Sequence, residues 1–183
     1  MKIIKTDINS FFVLKSEPIA DDRGYFERLF CMNELNELLN GNTIVQINHS
    51  FTKKKGAIRG MHFQKPPEAE IKIVKCLAGS AFDVAVDLRS KSETFLKYHG
   101  EVLTPSNGLM MFIPKGFAHG FQTLEENTEL LYFHTEFYNK EYESGIRYDD
   151  PALKINWKLS VSEISDRDKN FKLIENSFTG LNI

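Results

Sequence analysis

Apolar and polar residues alternate through most of this chain in short runs broken by turn residues. A period of two marks half-buried strands. It predicts strands over Phe11–Ser16 and Gly24–Phe30, on either side of the polar turn Ala20-Asp21-Asp22. Further strands are expected at Thr43–Ser50, Ala57–Gln64, Ile71–Leu77, Ala81–Leu88, Lys97–Leu103, Leu109–Ile113 and Leu130–Phe137. Met32–Leu39 is the best helix candidate, with Leu35, Leu38 and Leu39 as its apolar positions and Asn40-Gly41 as a stop signal. A second short helix is expected in the polar stretch Ser160–Lys169, and residues past Phe178 read as a loose tail. Lys53-Lys54-Lys55 before Gly56 reads as a solvated hairpin turn. Repeats, low-complexity tracts and Pro/Gly/Ser linkers are absent, so residues 1–183 read as one all-β domain, a sandwich or barrel.

Composition narrows the function more than the fold. Apolar residues make up 42% and charged residues 26%, the balance of an ordinary soluble globular protein. The net charge is −2 and no long basic block occurs, which argues against nucleic acid as a partner. No apolar run is long enough to span a bilayer, and Met1–Asp7 has no apolar signal core. A cytoplasmic protein is expected, with Cys31 and Cys76 reduced, buried and structural, since they show no CxxC spacing.

The densest chemical signal is Ile113–Phe121, which contains Pro114-x-Gly116-x-x-His119. Pro114 fixes φ and Gly116 permits a sharp reversal, so the turn delivers His119 from the start of a strand. Side chains alternate across a strand, so Gly60, His62 and Gln64 share one face, and Arg59, Met61 and Phe63 the other, with Arg59 at the strand end able to curl around. Glu70 and Lys72 share a face with Val74, and Leu130 and Tyr132 with His134. A polar barrel interior could gather His62, Lys72, His119 and Tyr132. Such a set suits proton abstraction beside a carbonyl: an imidazole takes the proton, an ammonium holds the enolate, a phenol returns a proton. Taken singly, each has a plainer explanation: a hydrogen-bonded structural histidine, an exposed strand lysine, a core tyrosine.

The Ile113–Phe121 segment resembles the second conserved motif of cupin barrels. A longer series of motifs resembles the dTDP-4-dehydrorhamnose 3,5-epimerase family of nucleotide-sugar epimerases. It includes Asp22-Arg23-Gly24-Tyr25-Phe26, Gln46-Ile47-Asn48-His49-Ser50, Ile58–Gln64, Lys72-Ile73-Val74, Phe82–Arg89, Tyr132, Phe137-Tyr138, Asp149-Asp150-Pro151, Ile155-Asn156-Trp157 and Ser165-Asp166-Arg167-Asp168. The resemblance implies an all-β cupin-type β-barrel (jelly roll) with a few short helices. It implies a cofactor-independent isomerase acting at C3 and/or C5 of a nucleoside-diphosphate 4-keto-6-deoxyhexose. His62 then matches the general base and Asp168 the partner that orients it. Lys72 matches the residue beside the keto oxygen, and Tyr132 the proton donor. His119 and Arg59 match residues lining the sugar diphosphate site. Arg23, Gln46, Asn48, Tyr138 and Glu143 match positions that hold the nucleotide or diphosphate. Arg23 would come from the neighbouring subunit of a homodimer that exchanges N-terminal strands.

The chain departs from the family's usual residues at Arg28 (usually Glu), Glu70 (commonly Gln), Glu93, Leu96 and Lys158. The nucleotide base, the sugar and the pathway therefore stay open. A mono-epimerase or keto-isomerase on another nucleotide sugar, and a non-catalytic nucleotide-sugar-binding cupin, are the alternatives. No metal is expected. The first cupin motif here is His62-Phe63-Gln64, which lacks the second histidine of metal cupins, and His134 has no partner at useful spacing.

Overall fold

Two antiparallel sheets face each other and enclose a shared core. In the computed structural model, which describes residues 1–183, the six-stranded sheet has the order β1 (Lys2–Lys5), β2 (Phe12–Lys15), β10 (Leu109–Ile113), β7 (Lys72–Ala78), β12 (Thr128–His134), β5 (Gln46–Thr52). The five-stranded sheet has the order β13 (Glu143–Gly145), β6 (Ile58–Gln64), β11 (Phe117–Thr123), β8 (Ala81–Asp87), β9 (Tyr98–Leu103). A separate hairpin pairs β3 (Ile19–Asp21) with β4 (Gly24–Phe26). Between the sheets lie Val74, Cys76, Met111, Ile113 and Leu130 from one and Ala81, Ala85, Leu103, Phe117 and Phe121 from the other. This is the all-β architecture that the alternating pattern predicted.

The outer faces are covered by different parts of the chain. Helix α1 (Met32–Leu39) lays Leu35 and Leu39, both fully buried, on Leu14, Ile73, Met110, Phe112 and Phe133. These leucines stand four residues apart and so share one helix face. The helix spans the predicted residues and ends where Asn40 turns left-handed at φ 45°. A helix this short depends on such packing rather than on intrinsic propensity. The C-terminal third wraps the other sheet, setting Ile146 and Leu153 against Met61, Phe63, Phe82, Val84, Val86 and Ala118.

Several expectations need correction. The Ser160–Lys169 stretch is helical only over α2 (Asp166–Lys169). Before it, Glu163 bridges Ala57 in parallel and its carbonyl accepts from the Ile58 amide at 2.8 Å, which holds that part extended. The tail past Phe178 is tied down, because Leu181 exchanges backbone hydrogen bonds with Leu88 and Ser90 at 2.6 and 2.9 Å. Polar Ala20-Asp21 belongs to strand β3, and the turn is shorter than expected. Cys76 is fully buried, its thiol pushed up to about 11 by burial, whereas Cys31 is only half-buried, just before α1. Lys53-Lys54-Lys55 does form the exposed turn between β5 and β6. No helix is long and apolar enough to cross a membrane.

One irregularity positions the site. On β6 and β11, His62 lies opposite His119 and Arg59 opposite Phe121, so three steps on β6 match two on β11. That extra residue is a β-bulge. It shifts the side-chain phase and brings Arg59 onto the same cavity as His62, against strict alternation. Gly60 occupies the bulge at φ +125°, and a Cβ there would meet the Gly120 Cα at 2.5 Å. Gly60→Ala is expected to destabilise the fold by at least about 2 kcal/mol, from positive-φ strain together with backbone overlap. Urea unfolding measures this, and a midpoint unchanged from wild type would show that the bulge does not need a glycine.

Candidate active site

The six-stranded sheet contributes a lattice of polar side chains. Its register sets His134 between Lys72 on one neighbour and Gln46 on the other, and Tyr132 between Val74 and Asn48 in the next row. One row further, Leu130 faces Ser50 and Cys76. Gln46, Asn48, Ser50 and Thr52 all turn inward by the period of two, so β5 presents a polar inner face. The Tyr132 hydroxyl lies 2.9 Å from the Ser50 hydroxyl, and its ring stacks on His134 and meets His119 edge-on. Burial pushes the Tyr132 phenol far up, against the lowering effect of Ser50. It therefore stands as a protonated hydroxyl, able to donate.

The five-stranded sheet contributes the carboxylate–imidazole pairs. His62 Nε2 lies 2.8 Å from Asp168 Oδ1, and Asp168 Oδ2 accepts the Gly60 amide at 3.0 Å. Asp168 is delivered by α2, whose N-cap Ser165 accepts from the Asp168 amide at 3.1 Å. Its side chain is 3% exposed. Burial acts to raise the Asp168 carboxyl, but His62 and the Gly60 amide outweigh it and hold the group at about 2. The ionised carboxylate can only accept, so the proton of this bond sits on His62 Nε2, which leaves Nδ1 without a protein partner. Arg167 closes the group, with Nη1 2.9 Å from Glu143 and Nε 3.3 Å from Asp168; its Nη2, 2.9 Å from His62 Nε2, faces a nitrogen already donating to Asp168 and so makes no hydrogen bond to the ring. Deeper in, His119 Nε2 pairs with the fully buried Asp83 at 2.8 Å.

These elements enclose a cavity of about 920 Å³, a size that suits a ligand of several rings. It gathers His62, Lys72, Tyr132 and Asp168 together with Gln46, Asn48, Arg59, His119, Tyr138 and Glu143. Arg23 is the exception. It stands on the β3–β4 hairpin, 89% exposed, with a double hydrogen bond to Asp21, and does not line this cavity.

A sequence profile for dTDP-4-dehydrorhamnose 3,5-epimerase matches residues 5–176. The epimerase of that name from Salmonella typhimurium is 40% identical over 177 residues, covering 96% of both chains. The chain also superposes on two solved structures. One is a dTDP-6-deoxy-D-glucose-3,5-epimerase from Legionella pneumophila in complex with dTDP-4-keto-L-rhamnose, with a TM-score of 0.92 and 36% identity over 100% of this chain and 98% of that one. The other is the dTDP-4-dehydrorhamnose 3,5-epimerase of Bacillus anthracis with TDP and PPi bound, with a TM-score of 0.91 and 36% identity over 94% of this chain and 99% of that one. The chain belongs to the dTDP-4-dehydrorhamnose 3,5-epimerase family. It is an isomerase with that family's cupin-type barrel.

Within this epimerase fold the cavity also holds residues that sequence reasoning did not select. Arg167 sits beside Asp168 in the Ser165-Asp166-Arg167-Asp168 motif and lines the cavity with it. Parity sets Glu70 on the face of Lys72 and His134 on that of Tyr132, which by itself assigns neither a role. His134 Nδ1 lies 2.7 Å from Glu70 Oε2. The pair is separated by 64 residues, a relation that chain spacing cannot show. No three His, Cys, Asp or Glu side chains come together as a metal-binding group.

The Asp168 environment sets a pH dependence of stability. Its folded-state pKa lies below the ordinary value of 3.8, so its contribution is complete above about pH 4 and is lost as the pH falls towards about 2. Between pH 5 and pH 3 wild type is expected to lose about 1 kcal/mol more than Asp168→Asn. Urea unfolding of both proteins across this range checks it. Parallel pH slopes would mean that Asp168 is not held ionised by its partners.

Proposed function

We propose that this enzyme epimerises a nucleoside-diphosphate 4-keto-6-deoxyhexose, with dTDP as the carrier that its relatives' names favour. The 4-keto group acidifies the hydrogens at C3 and C5. His62 removes one through Nδ1, the ring nitrogen with no protein partner. Asp168 holds the ring and balances the imidazolium that forms. Lys72 stabilises the enolate oxygen, and Tyr132 returns a proton. The carbonyl is already present, so a nicotinamide is not needed, and we propose neither cofactor nor metal.

One observation carries this reading. His62 and Asp168 reach the cavity from β6 and α2, while Tyr132 and Lys72 reach it from the opposite sheet. A base and a donor on opposite walls address opposite faces of a ring held between them, which is what inversion requires. Arg59 and His119 line the sugar diphosphate end, and Gln46, Asn48, Tyr138 and Glu143 hold the nucleotide.

We further propose that residues 1–183 form one domain and act in the cytoplasm as a homodimer with exchanged N-terminal strands, in which Arg23 completes the partner's cavity. Exposed Ile19, Tyr25 and Phe26 on the β3–β4 hairpin, and Ile47 and Phe51 on the outer face of β5, supply apolar surface for that contact.

Proton NMR of the keto sugar in deuterated water tests the mechanism. His62→Asn is expected to fold and to lose at least about a thousandfold in exchange at C3 and C5. Near wild-type exchange in that variant would remove His62 as the base. Exchange confined to one carbon in the wild-type enzyme would identify a mono-epimerase. Tyr132→Phe is expected to keep exchange through His62, returning deuterium to the original face, while net inversion falls much further. An equal fall in both would mean that Tyr132 is not a separate acid.

A further inference from the structure

We infer that Glu70 is a positioning residue: it holds the Lys72 ammonium, selects the tautomer of His134 and, through His134, orients the amides of Asn48 and Gln46. For the identity of the ligand this rests on the nucleotide-sugar reading above. The relay itself does not.

Glu70 lies just before β7 and is nearly out of water, as are its two partners. One carboxylate oxygen is 3.0 Å from Lys72 Nζ, and the other is 2.7 Å from His134 Nδ1. Burial acts to raise the Glu70 carboxyl, but Lys72 and His134 outweigh it and hold the group below the usual range. An ionised carboxylate has no proton to give, so His134 Nδ1 must donate to it. His134 Nε2 is then bare and accepts from Asn48 Nδ2 at 3.3 Å. Asn48 Oδ1 accepts from Gln46 Nε2 at 3.3 Å, and Gln46 Oε1 accepts from the Tyr138 amide at 3.1 Å. Both ends of this chain are fixed: the carboxylate can only accept and the backbone N–H can only donate. Every link between them runs in the one direction that satisfies both.

The consequence for the cavity is a bias in what this wall offers. Asn48 Nδ2 and Gln46 Nε2 each use one proton in the relay and keep a second, and the Lys72 ammonium keeps two. The wall thus presents N–H donors, which suits an acceptor-rich ligand such as a nucleoside diphosphate. The stacked Tyr132 ring restricts rotation of His134 and so preserves the arrangement.

A neutral amide at position 70 cannot reproduce this. If its NH₂ faces Lys72, two donors meet. If it faces His134, the imidazole must carry its proton on Nε2. Asn48 and Gln46 then reverse, and the Gln46 NH₂ meets the Tyr138 N–H.

Nitrogen-15 NMR of histidine-labelled protein without ligand tests the relay directly. Wild type is expected to show His134 protonated on Nδ1 and bare on Nε2. Glu70→Gln is expected to shift the proton to Nε2 or mix the tautomers, while Glu70→Asp, which keeps the charge, retains the wild-type pattern. Calorimetry with dTDP is expected to show about tenfold or weaker binding for Glu70→Gln, the scale of losing a charge-assisted hydrogen bond, with Glu70→Asp closer to wild type. A wild-type His134 protonated on Nε2 would overturn the inference. So would a Glu70→Gln protein that keeps both the wild-type tautomer and its dTDP affinity. Wild-type protein that fails to bind dTDP would count against the nucleotide reading, and the tautomers would still decide the relay.

Discussion

A carboxylate removed from water has to be met by donors, and Asp168 imposes that requirement on this site. Its two oxygens draw together the Gly60 amide from the β6 bulge and the His62 ring from the strand beyond it. The bulge exists because Gly60 and Gly120 have no Cβ to keep the two strands apart. The Ser165 cap in turn starts α2 at the point that directs Asp168 inward. Backbone irregularity, helix start and the His62–Asp168 geometry are thus one arrangement, and none could move without leaving a buried charge unpaired.

The two walls of the cavity solve the same problem with different parts. On one, Asp168 and His62 form a pair with a ring nitrogen left for the ligand. On the other, Glu70 sits between an ammonium and an imidazole and passes its polarity through two amides. The first arrangement suits moving a proton, because one nitrogen is unengaged. The second suits binding, because the two amides and the ammonium each keep N–H donors that the relay does not use. Tyr132 lies between them, stacked on His134 and hydrogen-bonded to Ser50.

Much of this was legible in the sequence, for a physical reason. Alternation identifies strands wherever one face is buried, so β6, β7, β9 and β10 fell close to their expected positions, as did the fully buried β8; β12 lies two to three residues before its expected place, and Leu35, Leu38 and Leu39 marked α1. Strand β5 was displaced by a few residues because its inward face is polar and its outward Ile47 and Phe51 are exposed, which weakens the usual signal. The tail past Phe178 reads as loose and the stretch before α2 as helical, because single backbone bridges, to Arg89 and to Ala57, hold them without any periodic pattern. In the site, ten residues expected to act together line one cavity. Arg59 reached it only through the bulge, which strict parity does not anticipate. Glu70 and His134 became meaningful once cross-strand register placed His134 opposite Lys72.

The central claim is spatial: a hexose ring lies between a base on one sheet and a donor on the other. A crystal structure of the His62→Asn variant soaked with dTDP-4-keto-6-deoxyglucose examines it most directly. The expected result places C3 or C5 within about 3.5 Å of the position 62 side chain, with the Tyr132 hydroxyl on the opposite ring face and Lys72 at the keto oxygen. A sugar ring bound outside the space between β6 and β12, or with both side chains on the same face, would contradict it.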